Sequence, residues 1–266
     1  MTLQTLADTS LVELAGSLIS SLAPGLSNID FLILISAAFV GSWLTAVAGV
    51  GGGVFLLTVM AGIVPPLALI PLHGVVQLGS NASRAWLSRR YLLSRSLLWF
   101  LLGGLAAASV SVWLIGQFPV SWIPLAVAIF VLWLAWGPMP SLDLARSPAG
   151  VLTGGLLTSL ASMLVGASGP LVAAWFGRKT LDKWQYTALF SSAMSAQHLL
   201  KIAVFGVAGF AFWPWLVVLA VMLVAATLGT RVGLACMGHV PEPWLKRLFP
   251  WLLTALALRL LWIHLG

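Results

Sequence analysis

Two short stretches decide how this chain is read: AGVGGGV, residues 48–54, and VGASGP, residues 165–170. Each sits inside a long apolar run, and each carries too much glycine, or glycine with proline, to continue smoothly as helix. In hydrocarbon a free backbone amide finds no water, so helix is interrupted at membrane depth only where protein buries the break or a cavity solvates it. Gly49 and Gly166 stand 117 positions apart, and the same shift sets Gly53 on Pro170, Pro71 on Ala188 and Arg84 on Lys201. It also lays SLLWFLLGGLAAAS on WPWLVVLAVMLVAA, and after a small length difference Pro119 and Trp122 fall on Pro241 and Trp244. Identity is low, so the repeat rests on matched punctuation and hydropathy.

The runs around the breaks define the class. Of 266 residues 61% are hydrophobic and 7% charged, and the mean hydropathy is +1.06, whereas soluble domains carry about a quarter charged residues. Several segments approach the ~20 apolar residues that cross a bilayer. The expected fold is an all-α polytopic membrane protein of two inverted repeats, each a Gly-broken, re-entrant or short hairpin followed by three transmembrane helices. In the first half the segments are about 31–48, a break at 49–53, about 54–64, then helices near 71–92, 96–116 and 120–138. The second half reads about 148–165, a break at 166–170, about 171–177, then 183–205, 211–235 and 244–263. The domain plan is an N-terminal segment 1–30 with a surface-lying helix or weak extra span at 9–22, repeat 1 at 31–138, a cytoplasmic linker 139–147 and repeat 2 at 148–266.

Charge gives the orientation. Ten of the thirteen basic residues, among them Arg89, Arg90, Arg95, Arg146, Arg178, Lys183, Arg231 and Lys246, fall in connections that can all face the cytoplasm. The connections that must then face outward, IVPPLALIP, GQFPVS and FGVAGFAFWP, have no charge, as the positive-inside rule requires. The net charge of +7 is therefore a topology signal, and no nucleic-acid partner is expected. The N-terminal 30 residues lack the Lys or Arg of a secretory signal. Trp113, Trp122, Trp175, Trp184, Trp213 and Trp244, near helix ends, fit interfacial belts. A single Cys236 offers no internal disulfide and no cysteine-based metal site, and no cofactor is expected.

Polar stripes mark where substrate passes. At ~100° per residue His73, Gln77, Ser80 and Arg84 share one helix face with Asn81 at its margin, and Thr187, Ser191, Met194, His198 and Lys201 form the matching stripe with Gln197 at its edge. Such groups cost at least ~2.5 kcal/mol facing lipid, so a cavity is expected beside them; the bland alternative for Arg84 and Lys201 is snorkelling to the nearer surface. All six acids, Asp8, Glu13, Asp30, Asp143, Asp182 and Glu242, lie in the N-terminal segment or at helix ends. A cation pathway offers carboxylates at mid-membrane, so the cargo reads as an anion. Residues following a break begin a helix whose amides and positive dipole end attract anions. The candidate substrate-binding set is Gly51, Gly52, Gly53, His73, Gln77, Asn81, Arg84, Ser168, Gly169, His198 and Lys201. His73 and His198 are the intramembrane groups that titrate near neutrality unperturbed, which makes protons the candidate coupling ion.

At these residues the chain resembles the TauE/SafE family of sulfite exporters and sulfonate permeases. The resemblance is carried by GSWLTAVAGVGGGVFLL, by IPLHGVVQLGSNASRAW and by the degenerate second copy LLTSLASMLVGASGPLVAAWFGRK, and it spans about 31–263. It implies an inner-membrane secondary transporter for a small organic or sulfur-containing anion, with the glycine motif on Gly49, Gly51, Gly52 and Gly53, its repeat on Gly166, Gly169 and Pro170, and the polar helix on His73, Gln77, Asn81 and Arg84. The second copy departs from the glycine run at Ala167 and Ser168. Alternating access is expected from one repeat-derived unit rocking against the other. A passive anion channel and a homodimeric assembly remain open readings.

The rival from another class is a rhomboid-like intramembrane protease with Ser168 as nucleophile and His198 as base. A serine nucleophile needs its base within hydrogen-bond reach and an oxyanion hole. The counterpart of GASGP in the first half is GVGGG, which has no hydroxyl. A feature present in both copies is explained by what both contain, namely backbone. The chain is accordingly read as a transporter and not an enzyme.

Overall fold

A computed structural model describes residues 25–265 apart from 118, 139–146, 178–180, 237, 238, 240 and 241. The expected surface helix at 9–22 and nearly all of the linker 139–147 lie outside the described residues. Among the described residues ten α-helices follow in order: α1 (Asn28–Ala48), α2 (Gly52–Ala61), α3 (Pro66–Ser88), α4 (Ser94–Ile115), α5 (Ile123–Trp136), α6 (Pro148–Val165), α7 (Gly169–Phe176), α8 (Lys183–Val207), α9 (Leu216–Cys236) and α10 (Glu242–Leu265). Among the described residues there is no strand. Among them six helices are long and apolar enough to cross a membrane, so the chain is an all-α multi-pass membrane protein. The 23-residue α3 falls outside the six because the polar face carrying His73, Gln77, Asn81 and Arg84 lowers its hydropathy.

Local chemistry sets the helix ends. Ser27 accepts from the Asp30 amide while the Asp30 carboxylate accepts from the Ser27 amide, a reciprocal box that starts α1. Asp182 does the same for α8, accepting from the amides of Trp184 at 2.7 Å and Gln185 at 2.9 Å. Prolines at 66, 148 and 170 occupy first turns, where the missing N–H costs nothing. Pro71 does not start α3, as the spacing suggested: the helix opens five residues earlier on Pro66 and carries Pro71 inside it. Both breaks begin in the same way. Gly49 (φ 82°) and Gly166 (φ 90°) close α1 and α6 in the left-handed conformation, their amides bonding to Thr45 and Ser162 carbonyls. Only glycine takes that conformation without steric cost.

The segments after the breaks are short. Ten residues give α2 about 15 Å and eight give α7 about 12 Å, each near half a ~30 Å hydrocarbon core. α2 folds back along α1: a Cβ placed on Gly52 would lie 1.7 Å from the Gly41 carbonyl oxygen and 2.4 Å from Thr45 Oγ1, and Gly41 also faces Leu56. α7 returns along α6, where the Trp175 indole donates to the Gly150 carbonyl at 2.7 Å. α2 is apolar all round and enclosed all round, with Val54, Leu56, Leu57 and Met60 at 1% exposure or less, which is the fate of a helix without a polar face. It sits in the larger of two cores with Leu34, Leu69, Val76, Val127, Met222 and Leu260; Phe100, Val172, Phe176 and Phe190 anchor the smaller.

The pairing of helices crosses between the halves. α1 packs chiefly on α9, and α6 on α4. Gly229 and Gly233 meet the backbone at Phe39 and Trp43, while Gly155 meets Phe100 and Gly104 meets Ser159, so both pairs run parallel. α3 packs on α8, with α8 also on α4 and α3 on α9, and α5 on α10. The α3–α8 pair is antiparallel: His73 faces His198, Gly74 faces Lys201 and Tyr91 stacks on Trp184. These relations are preserved when the first five helices are exchanged for the last five.

Of the tryptophans expected at interfaces, Trp113, Trp122, Trp184 and Trp213 are exposed. Trp175 is half-buried and braces the second hairpin; the side chain of Trp244 lies outside those described.

The close helix pairs make a stability prediction. A Cβ on Gly155 would lie 2.1 Å from the Phe100 carbonyl oxygen and one on Gly229 2.2 Å from that of Phe39. Gly155→Val and Gly229→Val should each cost at least about 1–3 kcal/mol in thermal unfolding of purified protein. Gly116→Ala, whose nearest neighbour is 3.9 Å away, should stay within about 0.5 kcal/mol.

Candidate functional site

The two breaks face each other across one buried cavity. Its walls come from the α1–α2 turn (Thr45, Val50, Gly51, Gly53, Val54), from α3 (His73, Gln77, Asn81), from the α6–α7 turn (Ala167, Ser168, Gly169, Pro170) and from α8 (Phe190, Met194, His198). The space open to the centre of a water molecule is about 20 Å³, enough for a water or so. The α3 and α8 residues follow one spacing. His73, Gln77, Asn81 and Arg84 shifted by 117 positions become Phe190, Met194, His198 and Lys201, so one helical face is used twice with different chemistry.

Backbone dipoles dominate this cavity. The first amides of α2 and α7 have no partner within their own helices, and both N-termini, at Gly51–Gly53 and Ser168–Gly169, are in the wall. His73 Nε2–H donates to the Gly53 carbonyl at 2.9 Å, leaving Nδ1 unpartnered. Its ring meets that of His198 edge-on at 5.9 Å, and neither nitrogen of His198 has a hydrogen-bond partner. Asn81 Nδ2 donates to Gln77 O at 2.8 Å and Gln77 Oε1 at 3.3 Å, so the oxygen end of Gln77 is engaged and Nε2 is free. An unpartnered polar atom in a buried site is costly to maintain, and here several of them border the same space.

The two cations stand behind this wall. Arg84 is 3% exposed and Lys201 0%, so neither snorkels. Arg84 Nη1 donates to the Thr45 carbonyl at 3.3 Å and Nη2 to Asn81 Oδ1, with the guanidinium 5.9 Å over the Phe190 ring. Lys201 crosses Gly74 and donates from Nζ to the Gly166 carbonyl at 2.6 Å. Each cation therefore meets the carbonyl, electronegative end of a broken helix, α1 for Arg84 and α6 for Lys201, where the macrodipole favours positive charge.

Of the eleven candidate residues eight line the cavity, and Gly52, Arg84 and Lys201 do not. Gly52 serves the close contact with α1. Ser168 does not address His198: its hydroxyl donates to Gln197 Oε1 at 2.6 Å, so the hydrogen bond that a serine–histidine dyad requires is not formed. Phe190, Thr45 and Thr158 stand outside the candidate set. Phe190 was within reach, because it is the position on which His73 falls after the 117-residue shift.

The model of the family described as Sulfite exporter TauE/SafE matches residues 33–260. This chain belongs to that family. A curated relative, the Probable inner membrane transporter protein TsaS of Comamonas testosteroni, is 27% identical over 169 residues, covering 60% of this chain and 69% of the relative. No solved structure matches the chain. In this TauE/SafE member the family match spans both breaks and both polar helices, so the cavity lies wholly within it.

The cation placement is testable. Lys201→Met leaves the buried Gly166 carbonyl without its charged partner and should lower stability by about 1–3 kcal/mol in detergent unfolding; an unchanged transition would refute the capping role.

Proposed function

We propose that this TauE/SafE protein is a secondary transporter of the inner membrane that carries a small organic or sulfur-containing anion, of sulfite or sulfonate type, held between the two glycine breaks. The reading rests first on the convergence of two helix N-termini on one cavity that the free Gln77 Nε2 donor and the unpartnered ring nitrogens of His73 and His198 also border, with no carboxylate among its lining residues. A cation would meet no negative group there, whereas an anion would meet dipoles pointed at it. The family description, which names sulfite export, and the relative's name, which gives an inner-membrane transporter, support the reading. Gly51, Gly53, Gln77, Asn81, Ser168, Gly169 and the histidines form the binding wall; Arg84 and Lys201 act from behind it, holding the broken helices in place and making the local potential positive.

The same proposal takes residues 31–138 and 148–266 as inverted repeats. It is supported by the exchange of packing partners between the halves, the antiparallel course of α3 against α8 and the matched left-handed Gly49 and Gly166. Space of about 20 Å³ takes water and not a sulfonate, so loading requires helices to part. Because α1 is packed on α9 and α6 on α4, the bodies that rock are composed of helices from both halves. His73 and His198, in ring contact at the centre, are the groups through which proton coupling runs.

Proteoliposomes test this. Uptake of the cognate anion should saturate and show counterflow, which a passive channel would not. Arg84→Gln should weaken binding to purified protein about tenfold, or about 1.4 kcal/mol; unchanged affinity would take Arg84 out of the site. Replacing His73 and His198 together should abolish dependence of uptake on a pH gradient, and a surviving dependence would end the coupling proposal.

A further inference from the structure

A chain of hydrogen bonds behind Ser168 fixes what that residue offers the cavity. Thr158 Oγ1 lies 2.6 Å from the Gly154 carbonyl oxygen, which can only accept, so the single hydroxyl proton of Thr158 is committed there. The side-chain amide of Gln197, 2.6 Å from Thr158 Oγ1, must then turn its nitrogen toward Thr158 and donate. That leaves Gln197 Oε1 facing Ser168 Oγ at 2.6 Å, and a carbonyl oxygen can only accept the Ser168 proton. The amide orientation usually has to be assigned by counting donors; here the count permits one answer. Thr158, Gln197 and Ser168 are 2%, 1% and 0% exposed, so solvent does not loosen the chain.

Ser168 therefore turns its proton away from the cavity and presents lone pairs to it. Opposite stand donors: Gln77 Nε2 and the N-terminal amides of α2. The GVGGG break of the first half has no hydroxyl of its own; Thr45 Oγ1, whose proton goes to the Gly41 carbonyl, stands in the wall on that side. We infer that the site selects anions that also carry a hydrogen-bond donor, an O–H or N–H group directed at Ser168 Oγ, while the anionic group faces Gln77 and the amides of α2. Ser168 is the specificity-determining residue; Gln197 and Thr158 are positioning residues that act through it. The inference rests on the cavity being the anion site proposed above. A ligand with a methyl group in place of the donor leaves a buried acceptor unpaired, a defect that sites of this type penalise about tenfold or more.

The test compares isosteres on purified full-length protein by calorimetry: 2-hydroxyethanesulfonate against 1-propanesulfonate, and glycolate against propionate. Wild type should bind the hydroxylated member of at least one pair about tenfold more tightly. Ser168→Ala should bring that ratio close to one by weakening the hydroxylated member. Gln197→Met, which frees the Ser168 hydroxyl to rotate so that it is no longer preset as an acceptor, should lower the ratio by weakening the hydroxylated member while leaving the methyl member unchanged. Equal binding of both members by wild type, or a preference that survives both variants, overturns the inference while leaving the anion site standing. Binding of neither pair, nor of sulfite, overturns the anion site and this inference together. Should Ser168→Ala fail to fold, the wild-type ratio and Gln197→Met decide alone.

Discussion

A helix broken inside a membrane has two ends to satisfy, and their opposite polarity organises this protein. The carbonyl ends of α1 and α6 are negative and receive buried cations, Arg84 at Thr45 and Lys201 at Gly166. The amide ends of α2 and α7 are positive and are left facing a shared cavity. Water would neutralise both ends in a soluble protein; in the bilayer protein must do so, or a ligand must. The cations are thus spent on structure, and the groups left over for cargo are neutral donors and backbone. Under the proposed function, this division lets the site suit an anion without holding an accessible charge.

Close packing makes that arrangement affordable. Glycine removes the side chains that would prevent close approach, within the first hairpin where Gly52 meets the Gly41 carbonyl, and between full-length helices where Gly155 meets Phe100 and Gly229 meets Phe39. Where two such backbones touch, dispersion and hydrogen-bond contacts replace the hydrophobic drive that lipid does not supply. The second hairpin adds a side-chain brace, the Trp175 indole on Gly150, which the first lacks among the bonds described.

Much of this was legible from residue order. Interruption at Gly49 and Gly166 was fixed by composition, and the hairpins followed from the few residues after each break. The stripe His73, Gln77, Asn81, Arg84 was visible as spacing and is the wall of the cavity. Less legible was the difference between lining a cavity and standing behind it. Helical periodicity puts Arg84 on the same face as His73, but only the position of the α1 end decides that the guanidinium turns back to Thr45. Pro71 misled for a local reason, since proline marks a first turn more often than an interior, and here it lies inside a helix that Pro66 opens. The Thr158–Gln197–Ser168 chain spans two helices 39 residues apart, and no pattern in the sequence announces it.

The crossing of partners between halves has a temporal side. Among the described helices α1 leaves the ribosome earliest, yet the surface it packs on, Gly229 and Gly233 of α9, is made about 190 residues later, roughly 10–40 s at 5–20 residues per second. For that interval the first hairpin sits in the bilayer with its face at Phe39 and Trp43 and its broken backbone uncovered. Co-translational assembly must therefore proceed around an incomplete centre that closes only when the last third of the chain inserts. The early helices have to be held by lipid, by the insertion machinery or by one another, and the stage most exposed to degradation is set by the order of synthesis and not by the finished fold.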